Sequence, residues 1–270
     1  MYRVYRVYRM YQSSRGDRVS QRVVFVTGAG SGLGFAIAER VAASGATVAI
    51  AEIDPGRGKE AAERLGGDAF AVDCDVADLD SVRSAVAAVV ERTGGIDALV
   101  NNAGFDLPGF FLQTDPGMWR SLISVNLEGV LNCIYAVAPV LIERAAQTGY
   151  GRIVNVASDA GRVGSSGEAV YSAAKGGVIA FGKSMARELA RHGITVNSVC
   201  PGPADTPMTA AIRQNEMGEK MFQKLMAATP LKRLVKPDEV AGAVAYFLSD
   251  EAGFTTGQVL SLSGGLTMSG

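Results

Sequence analysis

Residues 22–34 read RVVFVTGAGSGLG, and the organisation of the chain follows from this stretch. Arg22 to Thr27 is a short run rich in Val and Phe, the composition of a strand buried on both faces of a parallel sheet. It passes directly into Gly28-Ala29-Gly30-Ser31-Gly32-Leu33-Gly34, then into a helical pattern carried by Leu33, Ile37, Ala38 and Val41. Strand, glycine turn and helix in succession bring backbone amides at a helix N-terminus close to a pyrophosphate. Gly28, Ser31, Gly32, Leu33 and Gly34 are therefore candidate cofactor contacts, although the spacing differs from the tighter GxGxxG form.

Working outward, a second strand over Thr47 to Ala51 ends at Glu52. An acidic side chain roughly 20 residues past such a turn accepts hydrogen bonds from an adenosine ribose and repels a 2′-phosphate. With no Lys or Arg at Ser31 or Ile53, the expected cofactor is NAD rather than NADP. Asp54 is an alternative carrier of the same role, and a solvated strand end is the plain alternative for Glu52. A helix over Glu60 to Leu65 and a third strand over Ala69 to Val72 lead to Asp73-Cys74-Asp75-Val76, where Asp75 and Val76 are candidates to meet the adenine. A helix over Asp78 to Arg92 precedes a fourth strand, Ala98 to Val100, followed by Asn101-Asn102-Ala103-Gly104. Small residues there let the chain pass close to a ligand, and side-chain amides bridge neighbouring loops, which makes Asn102, Ala103 and Gly104 candidate contacts.

The second informative stretch is Gly151 to Gly193. A strand over Ile153 to Ala157 ends at Ser158, a Gly/Ser-rich loop follows, and a long helix begins near Ala169. Tyr171 and Lys175 stand four residues apart, on one helical face about 5–6 Å apart at Cβ. A phenol with an ordinary pKa of about 10 serves as an acid/base at neutral pH when a nearby cation stabilises its phenolate. Opposite Ser158, such a phenol and the serine hydroxyl would both bond one substrate oxygen, a site for alcohol/ketone interconversion. Tyr and Lys at this spacing also arise by chance on amphipathic helices, so the surrounding motifs decide. Between the two stretches, a long helix from Pro116 to about Ala146, with a kink expected at Pro139, contains Asn126. If buried, Asn126 needs a partner, such as a water shared with Lys175; otherwise it is an exposed polar residue.

Composition removes other chemistries. The chain has 270 residues, room for one α/β domain with a large core. Its formal net charge of −1, with both signs interspersed, gives no nucleic-acid footprint. The single histidine, His192, excludes a Ser/His/Asp triad and any His-rich zinc site, and its place before Gly193 suits a helix end. Cys74, Cys133 and Cys200 are widely spaced and form no CxxC, which fits buried thiols in a reducing compartment. No apolar run approaches the ~18 residues of a membrane span, and a soluble cytoplasmic protein is expected. The start, MYRVYRVYRMYQSSRGDR, lacks a signal-peptide core and reads as a flexible extension over 1–20 ahead of a domain over 21–270.

Taken together, TGAGSGLG at Thr27 to Gly34, NNAG at Asn101 to Gly104, Asn126, Ser158, YSAAK at Tyr171 to Lys175 and PGPADT at Pro201 to Thr206 resemble the short-chain dehydrogenase/reductase family. The resemblance runs from about Gln21 to Gly270. It implies a single-domain, Rossmann-type α/β fold: a doubly wound parallel sheet of about seven strands, order 3-2-1-4-5-6-7, with helices on both faces. It implies a catalytic tetrad of Asn126, Ser158, Tyr171 and Lys175. In that tetrad Tyr171 is the acid/base, Ser158 holds the substrate oxygen, Lys175 lowers the tyrosine pKa and binds nicotinamide ribose, and Asn126 positions a relay water. Pro201, Gly202 and Thr206 would border the nicotinamide, while Pro203 and Ala204 depart from the family's usual Ile or Val. A substrate lid is expected near 204–231, where Met208, Met217, Met221, Phe222 and Met226 offer an adaptable apolar surface. The small residues Ala173, Ala174, Gly176, Gly177, Ala180 and Gly182 permit close helix packing, and the resemblance implies a homotetramer built on that face.

Within the family, SDAGRVGSSGEAVY, VCPGPADTPM, NNAGFDLPGF and the terminal GQVLSLSGGLTMSG are similar to a subgroup acting on alicyclic β-hydroxyacyl-CoA esters such as 2-hydroxycyclohexanecarboxyl-CoA. Arg213, Lys220, Lys224, Lys232 and Arg233 are candidates for the CoA phosphates, or else solvated charges. The alternatives are a dehydrogenase of another cyclic or aromatic secondary alcohol, a 3-oxoacyl thioester reductase, and, outside enzymes, an NAD-binding regulatory protein.

Overall fold

The computed structural model describes residues 22–214 and 216–268, without the side chains of Met208 and Met217, whose expected place in the lid therefore lies outside the described residues. The N-terminal extension expected over 1–20 also lies outside them. Among the described residues seven strands, β1 (Val23–Thr27), β2 (Thr47–Glu52), β3 (Phe70–Asp73), β4 (Ala98–Asn101), β5 (Gly151–Val156), β6 (Ile194–Pro201) and β7 (Val259–Leu262), form one sheet. Its order is β3-β2-β1-β4-β5-β6-β7, as expected, and every pairing is parallel.

The helices are α1 (Gly32–Ala42), α2 (Pro55–Leu65), α3 (Leu79–Thr93), α4 (Pro116–Ile123), α5 (Gly129–Thr148), the short α6 (Ala160–Val163), α7 (Ala169–Leu189), α8 (Pro207–Ile212), α9 (Glu216–Ala228) and α10 (Pro237–Leu248). Strand residues alternate between two cores. Phe25, Leu99 and Ile153 pack with Val86 of α3, Val137 of α5 and Val178 of α7. Val26, Ile50 and Val100 face Ile37 of α1 and Val244 and Phe247 of α10. Each fully buried Ile, Leu or Phe contributes roughly 1.5–3 kcal/mol of transfer free energy, so the sheet is held from both sides.

Three local features differ from expectation, each for a physical reason. Helix α2 starts at Pro55 rather than Glu60, because the Asp54 carboxylate accepts from the Arg57 amide at 3.0 Å and caps it, with proline at the first position. Asp54 thereby caps the helix, and it is Glu52, not Asp54, that lines the cavity over the strand ends. The segment from Pro116 does not run as one regular helix: α4 joins α5 through a π turn, Ser124–Glu128, and α5 then runs on through Pro139. By length and composition Pro116–Thr148 would suffice to cross a membrane, contrary to the sequence reading. Here it is a sheet-packing helix whose Val130, Cys133, Ile134, Val137 and Leu141 are buried in one core.

Several small residues of α7 serve packing within the chain. A Cβ on Gly176 would lie 3.1 Å from the Gly161 carbonyl oxygen, and one on Gly177 3.1 Å from a Leu127 methyl. On Gly182 it would lie 3.0 Å from the Asn155 amide nitrogen. Close packing is what these residues provide, against α6, the π turn and the sheet.

Candidate active site

A cavity of about 810 Å³ opens over the strand ends. Gly28, the turn from Ser31 to Gly34, Glu52, Asp75, Val76, Asn102 to Gly104, Tyr171, Lys175, Pro201, Gly202 and Thr206 all line it. Residues drawn from separate parts of the sequence thus share one wall, the usual place for a ligand in an open α/β sheet.

The glycine turn is built by its neighbours. The Thr27 hydroxyl oxygen accepts from the amides of Asn102 and Ala103, both at 3.0 Å. The Asn102 side-chain amide donates back to the Thr27 and Gly28 carbonyls at 3.0 and 3.1 Å. A Cβ at position 34 would sit 2.1 Å from the Gly28 carbonyl oxygen, so only glycine lets α1 begin this close to the turn. This cradle fits the pyrophosphate of a dinucleotide. At the rim, the buried Glu52 carboxylate accepts from the Gly30 amide at 3.1 Å and the Ile53 amide at 3.2 Å. Arg57, which the sequence reading passed over, lines the same wall with its guanidinium 3.4 Å from Glu52. Thr206 borders the cavity and caps α8 by accepting from the Thr209 amide at 3.3 Å.

At the other end, Ser158, Tyr171 and Lys175 line the cavity together, the Ser158 hydroxyl acting on the Tyr171 phenol so as to favour its ionised form. Lys175 is buried, and its ammonium donates to the Val156 carbonyl at 3.1 Å. Burial lowers its pKa to about 8, with Cys200 and Asp106 pulling the other way. The phenol departs from expectation. Its pKa is raised, first by burial and then by the Asp106 carboxylate, with the Ser158 hydrogen bond pulling the other way. The Lys175 ammonium sits 5.7 Å from the ring centre and does not offset this, so the chain's own groups hold Tyr171 as a protonated phenol.

Asn126 is fully buried in the π turn and does not line the cavity. Its amide nitrogen donates to the carbonyls of Phe105 at 2.8 Å and Leu122 at 3.0 Å, while its oxygen has no partner among the described residues. A Cβ on Gly104 would meet that oxygen at 2.6 Å and the Lys175 ammonium at 3.2 Å. The two polar groups therefore converge on one glycine.

Sequence reasoning missed Asp106 and Glu168, both on the cavity wall. It also missed the carboxylate of Asp159, which accepts from Ser261 at 2.7 Å and from Thr267, tying the C-terminal tail to the residue after Ser158. In the lid region Ile212, Met221, Phe222 and Leu225 line the cavity, but Met226 does not. The cations offered for CoA phosphates are largely engaged: Arg213 pairs with Glu219, Lys220 with Glu216, Arg233 with Glu239, and Lys232 donates to the Ala227 carbonyl.

A family profile described as enoyl-(acyl carrier protein) reductase matches residues 28–267. The chain is 38% identical over 250 residues to a 3-oxoacyl-[acyl-carrier-protein] reductase of Staphylococcus aureus, covering 90% of this chain and 97% of that one. It is 39% identical over 254 residues to an acetoacetyl-CoA reductase of Cupriavidus necator, covering 93% and 100%. A solved actinorhodin polyketide ketoreductase with NADPH superposes with a TM-score of 0.85 at 38% identity, covering 92% and 98%.

Proposed function

The chain belongs to the short-chain dehydrogenase/reductase family and is an oxidoreductase of CH–OH and keto groups, and on that premise we propose that it reduces 3-oxoacyl thioesters with NADH. The observation that carries this reading is the Ser158–Tyr171 hydroxyl pair on the wall of a cavity that also holds a dinucleotide cradle. Bound in that cradle, a nicotinamide cofactor would supply the hydride. A substrate ketone oxygen lying between the two hydroxyls takes a hydrogen bond from Ser158 and a proton from Tyr171. A phenol with a raised pKa keeps that proton at neutral pH, which suits the reductive direction.

Lys175 keeps the cofactor ribose beside Tyr171 and feeds protons inward. The partnerless Asn126 oxygen, converging with the ammonium on Gly104, supports a relay through one bridging water. NAD remains the proposed cofactor because the Glu52 carboxylate lines the cavity where a 2′-phosphate would meet it.

For the substrate, the 3-oxoacyl thioester is favoured over the alicyclic CoA ester. The relatives above are named for ketoacyl and acetoacetyl-CoA reduction, and the pairing of Arg213, Lys220 and Arg233 with carboxylates weakens the argument for dedicated CoA-phosphate contacts. A cytoplasmic homotetramer completes the reading, with Leu131 and Tyr135 left exposed on α5 as the apolar surface for assembly.

The test is NADH consumption with acetoacetyl-CoA, a 3-oxoacyl carrier protein and a set of cyclic ketones, beside Tyr171→Phe. Turnover of the thioesters, lowered at least about 10²-fold in the variant while dinucleotide binding persists, is the expected result. An intact protein that binds NADH and reduces nothing in the set would favour the regulatory alternative.

A further inference from the structure

We propose that Asp106 and Glu168 form a carboxyl pair sharing one proton beside Tyr171, and that this pair is a positioning unit setting how tightly the phenol holds its own proton. The inference rests on Tyr171 being the proton donor. It adds a second ionisable unit to the site.

The geometry comes from two loops. The stretch after Gly104 is anchored at the Phe105 carbonyl by the Asn126 amide. It is stitched to the loop ahead of α7 by the Gly109 amide, which donates to the Gly167 carbonyl at 2.8 Å. This brings the Asp106 carboxyl within hydrogen-bonding reach of Glu168, and both carboxyls line the cavity with Tyr171.

Asp106 is about nine-tenths buried. One of its oxygens accepts from the Leu107 amide at 2.8 Å, while the other has no donor among the described residues when both carboxyls are ionised. A buried acceptor facing another acceptor is costly; one shared proton turns the contact into a hydrogen bond and satisfies it. The groups acting on Asp106 are Glu168 from the loop ahead of α7 and Lys175 from α7. Those acting on Tyr171 are Asp106, Ser158, Glu168 and Cys200 of β6.

Burial, helped by the negative charge of Glu168, pushes the Asp106 pKa up to about 8. Below that pH the pair carries its proton. As the pH rises through it, a further negative charge forms next to the phenol and raises the phenol's proton affinity. Reduction, which needs the protonated phenol, is thereby sustained into alkaline solution, while oxidation, which needs the phenolate, gains less from rising pH.

The experiment compares pH profiles of kcat/KM in both directions for the wild type, Asp106→Asn and Glu168→Gln. Near-ultraviolet tyrosinate titrations of the same proteins, referenced to Tyr171→Phe, read the phenol without turnover. In Asp106→Asn the late charge cannot form. The variant-to-wild-type ratio for oxidation should therefore be flat below about pH 8 and climb above it. The climb is about tenfold if the phenol pKa falls by one unit. Reduction should fail at lower pH than in the wild type, the Tyr171 titration should move the same way, and Glu168→Gln should reproduce the pattern if Asp106→Asn folds poorly. Profiles and titrations that run parallel in folded variants would overturn the proposal. If no protein turns over, the site reading fails separately, and the tyrosinate titration alone decides on the pair.

Discussion

Arg57 lies between two carboxylates at the glycine-turn end of the cavity, 3.4 Å from Glu52 and 3.8 Å from Asp54, with its side chain about half exposed. Glu52 repels a 2′-phosphate, whereas an arginine freed from its carboxylates would attract one. Glu52 is the buried member and accepts from backbone amides on both sides. The expected outcome is a kcat/KM for NAD exceeding that for NADP by about 10²-fold, from the roughly 1.5–3 kcal/mol attached to a charged hydrogen bond. Arg57→Ala should widen the gap by weakening NADP further, and equal use of both dinucleotides would remove the assignment. The two residues differ in legibility for a physical reason. Glu52 could be found because a strand–turn–helix–strand unit fixes its distance from the glycine turn. Arg57 could not, because its approach to Glu52 depends on the Asp54 cap that starts α2 five residues early, and caps are side-chain events that apolar periodicity does not record. Asp106 and Glu168 escaped for a related reason: they meet only through the contact of two irregular loops.

The strands were readable to within a residue or two, because each is a short apolar run and the sheet buries both faces. The π turn was not, since one extra residue leaves the apolar stripes of α4 and α5 recognisable on either side. Its consequence is local and chemical. In a π turn the backbone bonds shift from the fourth to the fifth residue back, which frees a carbonyl for a side chain to occupy. The Asn126 amide takes the Leu122 carbonyl and reaches across to Phe105, so one buried side chain joins the helix to the loop that carries Asp106. Asn126→Ala removes the amide donor from one buried and one partly buried carbonyl and should destabilise the protein by about 1–3 kcal/mol in chemical denaturation. Because the anchored loop and Lys175 share Gly104, kcat should fall by a larger factor than the dinucleotide Kd rises. A variant with wild-type midpoint and turnover would mean that the π turn holds itself without the amide.

Across the whole molecule, one sheet separates two apolar layers, and all three thiols lie in the same one. Cys74, Cys133 and Cys200 are each nearly inaccessible and belong to the layer formed with α3, α5 and α7. Burial raises the thiol pKa of Cys74 and of Cys200 to about 12, and that of Cys133 well above its usual value. The thiolate is the reactive form, so at neutral pH the native protein should resist alkylation at all three positions. Burial hides these thiols only while the layer is closed, which makes them reporters of how the two layers come apart. Every strand that contributes to one layer also contributes alternate residues to the other, so neither can open without disturbing the sheet they share. A single cooperative transition is the expected result, with the three cysteines becoming reactive together at the denaturant concentration where far-ultraviolet circular dichroism is lost. Pulsed alkylation with mass spectrometry resolves the positions. If Cys74, on the cavity wall, reacts well before Cys133 in the interior of α5, the cavity side opens by itself and the cofactor cradle is the weaker part of the fold.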